Sequence, residues 1–178
     1  AIRPVDVNCS SWETTLEAAG PVAPSPRHAA MAGVIRSACA VRLGLRQVRG
    51  LSEAEMAVLV ERRGAGYDSV RDLWLRTGLP AATLRRLAEA DAFRSLGLDR
   101  RDALWAALAL DPAAAAERLP LFGRDSIAER EPDIDLPPMP LGEHVVHDYR
   151  ALSLSLKAHP GALLRHRLAA AAAETLAD

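Results

Sequence analysis

The chain holds 178 residues, 49% of them apolar and only 4% aromatic, with a formal net charge of -1. That length suits one ordinary domain, and a core built from Ala, Leu and Val favours helices over a β-sandwich. No run of about 18 apolar residues is present, so the sequence holds no membrane-spanning helix. Cys9 and Cys39 lie far apart in no metal or redox spacing and read as free thiols of a reducing cytoplasm. The opening Ala-Ile-Arg-Pro-Val-Asp-Val-Asn has no initiator Met and no leader pattern, and reads as a piece of a longer protein. Charge is unevenly spread: residues 36–101 carry 13 Arg against 8 acids, whereas residues 102–178 carry 7 basic and 12 acidic residues. A basic half beside an acidic one suggests an anionic partner for the first, although a GC-rich genome would also supply the arginines.

Residues 1–40 are irregular by pattern, with short strands expected at 12–16 and 40–45 and a proline-rich loop, Gly20 to Pro26, between them. Residues 29–38 allow a turn or two of helix. A helix is predicted over 52–63, opened by a Ser52/Glu55 capping box and carrying Met56, Leu59 and Val60 on one face. A second runs from Ser69 to Gly78 with Val70, Leu73 and Trp74 inward. A third covers 80–90, with Leu84, Leu87 and Ala88 buried and Pro80 at an early position. A fourth covers 99–110, capped by Asp99, with Leu104, Trp105 and Leu108 as its expected core face. Residues 112–140 are rich in acids and prolines and read as an extended linker. Helices are expected again at 142–153 and 161–177.

One constellation stands out, Leu45-Arg-Gln-Val-Arg-Gly-Leu-Ser52, directly before the capped helix. Gly50 permits a tight turn and a close approach to phosphate, and the first amides of the following helix suit an anion. Val48 and Leu51 anchor the turn, while Arg46 and Arg49 flank it and add contacts that position without reading sequence. Thr77-Gly78-Leu79-Pro80 is a second candidate hairpin. Any helix end needs such a glycine, however, and Pro80 replaces a free amide there. The candidate DNA-contacting set is Arg46, Arg49, Gly50, Leu51, Ser52, Gly78 and Leu79; no catalytic or metal-binding residue is expected.

Six blocks, in order, resemble the error-prone C-family DNA polymerases, which are similar to the bacterial polymerase III alpha subunit. They are Arg3-Pro-Val-Asp-Val-Asn8, Val41 to Leu51, Leu87 to Gly97, Gly97 to Trp105, Pro137 to His144 and Leu152 to Pro160. The resemblance implies a mainly α, tandem helix-hairpin-helix segment with a short N-terminal β-hairpin and an extended linker. Residues 1–40 would close the preceding polymerase region, 41–111 form the DNA-binding domain, 112–140 the linker, and 141–178 a helical connector toward an oligonucleotide-binding barrel. It also implies translesion synthesis after DNA damage, with magnesium serving the parent enzyme and no cofactor in this segment. Implied partners are duplex or primer–template DNA, the rest of the polymerase, the sliding clamp and mutagenesis accessory proteins, in the cytoplasm and away from membranes.

Other features read as structural. Pro132-Asp-Ile-Asp135 resembles the family's metal-binding string but follows the hairpins, the wrong order, and sits in the acidic linker. His144 and His147 lack a third ligand nearby. Trp74 and Trp105 read as core residues rather than base-stacking platforms. A structural or protein-interaction connector without DNA binding of its own remains an alternative, as does a stand-alone repair factor.

Overall fold

The computed structural model describes residues 1–19, 26–31, 33–34, 39–110 and 136–165. Three short strands begin it: β1 (Ile2–Arg3), β2 (Thr15–Ala18) and β3 (Cys39–Arg42). Strand β3 is central, parallel to β1 and antiparallel to β2. Glu17 fastens all three, accepting from Arg42 Nε at 2.8 Å and Arg3 Nη1 at 2.6 Å. These bonds, Arg42's foremost, hold its carboxyl below the usual carboxylate range. The expected antiparallel pair is present, but shifted from 12–16 and 40–45. The chain leaves β3 at Gly44, where an added Cβ would sit 2.4 Å from the Trp12 carbonyl oxygen. That close approach lets Leu45 and Arg46 donate to the carbonyls of Ser11 and Trp12 instead of extending the strand. Strand β1 was not anticipated, since two residues show no alternation. Pro26–Met31 forms a 3-10 turn at the edge of the helix expected over 29–38. Residues 111–135, with the Pro132-Asp-Ile-Asp135 string, and residues 166–178 lie outside the described residues.

Five helices follow: α1 (Glu53–Arg62), α2 (Val70–Thr77), α3 (Ala81–Glu89), α4 (Arg100–Leu108) and α5 (Leu141–Leu152), with residues 160–165 also helical. The protein is thus mainly α, as the composition predicts. Ser52, Ser69 and Asp99 cap α1, α2 and α4 through side-chain oxygens that accept first-turn amides. The reciprocal box expected at Ser52 is only half made, because Glu55 turns away to accept from Thr83 Oγ1 at 3.1 Å and so ties α1 to α3. The complete box is instead at Asp99/Asp102. At the other end of α1, the Arg76 guanidinium takes up the carbonyls of Arg62 and Arg63 and stacks 4.5 Å from the Tyr67 ring centre. A cation there satisfies carbonyls that the helix leaves open.

One apolar cluster runs from Val5 and Val7 through Leu45, Met56, Leu59, Leu73, Leu84 and Phe93 to Ala151 and Leu152. The Arg3-to-Asn8 block is a staple for it. Asn8 exchanges hydrogen bonds with the Tyr67 backbone at 2.7 and 3.0 Å, and Asp6 accepts from the Ser95 amide at 3.0 Å. Arg63 crosses to the carbonyl of Val7 at 2.8 Å. The expected face of α4 is wrong. Arg100, Ala103 and Ala107 face inward, whereas Trp105 and Leu108 are 49% and 50% exposed and Leu104 only partly covered. Small alanines let α4 approach α3 closely, and they weigh less than Trp or Leu in a hydrophobic pattern. The exposed ring also departs from the core role read for Trp105; Trp74 is packed against the core.

Candidate nucleic-acid interface

The first hairpin is anchored by buried Leu45 and Val48, which bracket a 3-10 turn, Leu45–Gln47. Leu51 packs against the core from its far side. Gly50 has φ +78°, a left-handed conformation that favours glycine, and an added Cβ would meet Arg86 Nε at 3.0 Å. Ser52 Oγ accepts from the Glu55 amide at 3.2 Å. Among the described residues, the amides of Gly50 and Ser52 find no protein acceptor. With the open amides that begin α1, they form an exposed edge of N–H groups suited to an anion. Glu53 works against this edge, being acidic, exposed and in the same turn.

Arg49 directly precedes that edge in the chain, and Arg86 lies beside it. The Arg49 amide donates to the Ala151 carbonyl at 2.9 Å, and its Nη2 donates to Ser153 Oγ at 2.8 Å. Arg86 projects from α3 beside Gly50, and no acid pairs with it among the described residues. Sequence reasoning missed Arg86, because its position opposite the buried face of α3 looks like any solvated one. Arg46 is exposed and ion-paired with Glu13, Nη1 lying 2.5 and 2.8 Å from the carboxylate oxygens. Such a surface pair is worth little to stability.

The second hairpin differs. Gly78 also has a positive φ, +66°, but its amide donates to the Trp74 carbonyl at 2.8 Å. The Leu79 side chain is buried and its amide donates to Thr77 Oγ1 at 3.3 Å, while Pro80 has no amide to offer.

Part of the arginine excess is engaged by other groups of the chain. Arg42, Arg63, Arg76, Arg94, Arg100 and Arg101 are each held by carboxylates or backbone carbonyls. Among the described residues Arg49, Arg62, Arg71, Arg85, Arg86, Arg150 and Arg165 are exposed without an acidic partner. The charge asymmetry therefore overstates the anion-binding surface.

A charged junction lies behind the hairpin. Arg100, fully buried, pairs with Asp148, and its Nη1 donates to the His144 carbonyl at 3.1 Å. Lys157, the chain's single lysine, reaches Asp91 at 2.8 Å and Asp148 at 3.2 Å, and Ser155 Oγ donates to Asp148 at 2.7 Å. Burial raises the Asp148 carboxyl pKa, but the hydrogen bonds from Ser155 and Arg100 and the charge of Lys157 outweigh it and hold the group below its ordinary value. Burial, then the nearby cations, lowers His144 and His147. Among the described residues no three His, Cys, Asp or Glu side chains come together as a metal site.

Paired short helices joined by glycine turns define a helix-hairpin-helix domain. The family model for the helix-hairpin-helix motif matches residues 1–103, and the chain belongs to that family. Its relatives are more particular. The chain is 58% identical over 171 residues to the error-prone DNA polymerase of Mesorhizobium japonicum, covering 94% of this chain and 15% of that protein. It is 57% identical over 168 residues to error-prone DNA polymerase 1 of Rhizobium meliloti, 91% of this chain and 15% of the relative. For the error-prone DNA polymerase of Ruegeria pomeroyi the figures are 45% over 166 residues, 92% and 13%. These relatives bear out the resemblance read from the residue blocks, and the chain spans about 15% of their length.

Proposed function

We propose that this segment binds duplex DNA without sequence preference, through backbone phosphates at the Gly50 hairpin, within an error-prone polymerase that serves damage-induced translesion synthesis. The observation that carries the reading is the open amide edge of Gly50 and Ser52, with Arg49 preceding it in the chain and Arg86 beside it. Phosphate contacts of this kind hold a duplex in place and leave base edges unread. Magnesium-dependent nucleotidyl transfer would then belong to parts of the longer polymerase outside this chain, as would contacts with the sliding clamp and accessory proteins. DNA as the partner places the protein in the bacterial cytoplasm in this reading; no helix among the described residues is long and apolar enough to cross a membrane.

Fluorescence anisotropy with a labelled primer–template tests the proposal. Binding is expected to weaken steeply with salt and to fall about tenfold or more on Gly50→Asp, which adds a negative charge beside the open amides. Exposed Trp105 and Leu108 on α4 favour a second reading, a connector inside the polymerase that binds no DNA itself. Absence of binding at low salt by a folded sample would select it.

A further inference from the structure

Among the described residues, two other than glycine adopt a left-handed backbone, Asp91 at φ 60° and Ser153 at φ 65°. Both belong to the junction behind the first hairpin. Ser153 is the C-cap of α5, its amide donating to the Tyr149 carbonyl at 3.1 Å. Glycine or asparagine is the relaxed choice at such a helix end, so a serine there is strained. Strain of this kind persists where surrounding contacts hold it and often marks a functional position.

The Ser153 hydroxyl accepts from Arg49 Nη2 at 2.8 Å, and the carbonyl two residues earlier, on Ala151, accepts from the Arg49 amide at 2.9 Å. The end of α5 thus grips Arg49 by both main chain and side chain, one residue before Gly50. That end is itself fixed: Asp148 is held by Arg100, Ser155 and Lys157, and Lys157 ties it to Asp91. The chemistry of the acceptor matters. Arg46, Arg94 and Arg101 are oriented by carboxylates that neutralise them. A hydroxyl orients a guanidinium and leaves its full charge for another anion.

We propose that Ser153 is a positioning residue that orients Arg49 toward the phosphate at the Gly50 hairpin without cancelling its charge. The proposal rests on the DNA-binding reading above. Ser153→Gly removes the hydroxyl and relieves the backbone, so the thermal midpoint is expected to hold or rise. Affinity for a primer–template in low salt should nevertheless fall roughly three- to tenfold, with a shallower salt slope. Ser153→Asn tolerates the left-handed backbone and supplies a neutral acceptor, so it should restore binding. Ser153→Asp keeps an acceptor but should bind weakly, because a carboxylate neutralises Arg49. Unchanged affinity in Ser153→Gly beside a weakened Arg49→Ala would overturn the proposal and leave the hairpin reading intact. An unaffected Arg49→Ala would also overturn it. Absence of DNA binding by the unsubstituted chain would overturn both.

Discussion

The two hairpins share a glycine in the left-handed region, a core-packed leucine beside it and a helix start, yet they treat their amides in opposite ways. At Gly78 and Leu79 the amides are occupied by the Trp74 carbonyl and the Thr77 hydroxyl, and Pro80 removes the next one. At Gly50 and Ser52, both exposed, they have no protein acceptor among the described residues, and Arg86 lies beside them. A glycine turn is therefore a way to end a helix, and offers amides to an anion only where the local hydrogen-bond pattern leaves donors over. The surroundings reinforce the contrast. An added Cβ at Gly78 would meet nothing within 4 Å, while the same atom at Gly50 would press on Arg86.

The largest way to break this contrast is to remove the platform under the first hairpin alone. Asp148→Ala strands the buried Arg100 guanidinium, and losing one partner of a buried ion pair costs about 3–5 kcal/mol. Urea unfolding should show that loss, with an intact slope if the fold stays cooperative. Next, Gly50→Asp should lower affinity for a labelled duplex by about tenfold or more, worth about 1.4 kcal/mol. Gly78→Asp should instead cost about 1 kcal/mol of stability and leave the affinity of folded protein unchanged. Equal loss of binding in both variants would show that the second hairpin also touches DNA.

Acid should weaken the junction in two stages. His144 and His147 titrate below their ordinary value of about 6.5, so as pH falls through that value the unfolded chain takes up protons first and stability drops. The drop ends once the folded-state values are passed. Asp148, also lowered, contributes stability above its unfolded value near 3.9 and loses it as pH falls through the folded value. Urea midpoints at pH 7.5 and 5.5 read the first stage, and His144→Asn should shrink it. The smallest effect is expected from Glu53→Gln, which removes an opposing charge from the first turn of α1. DNA affinity should rise about twofold, a surface-charge effect that higher salt erases.

Much of this molecule was legible in the sequence, for identifiable reasons. Serine and aspartate caps, glycine stops and the spacing of Leu84, Leu87 and Ala88 placed α1 to α4 to within a residue or two, because those signals act within one turn of helix. The hairpin at Gly50 was readable for the same reason. The face of α4 was not, since Ala103 and Ala107 pack by being small while Trp105 dominates any hydrophobic pattern. Arg86, Ser153 and the Asp91–Lys157–Asp148–Arg100 junction were also illegible. Apart from Lys157 with Asp148, nine positions apart, they join residues separated by between 36 and 104 positions, as in Arg49 with Ser153, and no local spacing encodes such meetings. The local arginine count misled for a related reason: whether a guanidinium faces solvent or a carbonyl is decided by tertiary structure, as Arg63 and Arg76 show.

The central claim is that the Gly50 edge with its two arginines binds duplex phosphates. The most direct test is anisotropy of a labelled primer–template across a salt series, comparing the unsubstituted chain with Arg49→Glu/Arg86→Glu. These are exposed side chains whose reversal leaves the core untouched. The account predicts salt-sensitive binding for the first and, for the second, a more than tenfold weaker affinity with a slope reduced by about two contacts. Equal affinities and equal slopes for the two proteins would contradict it.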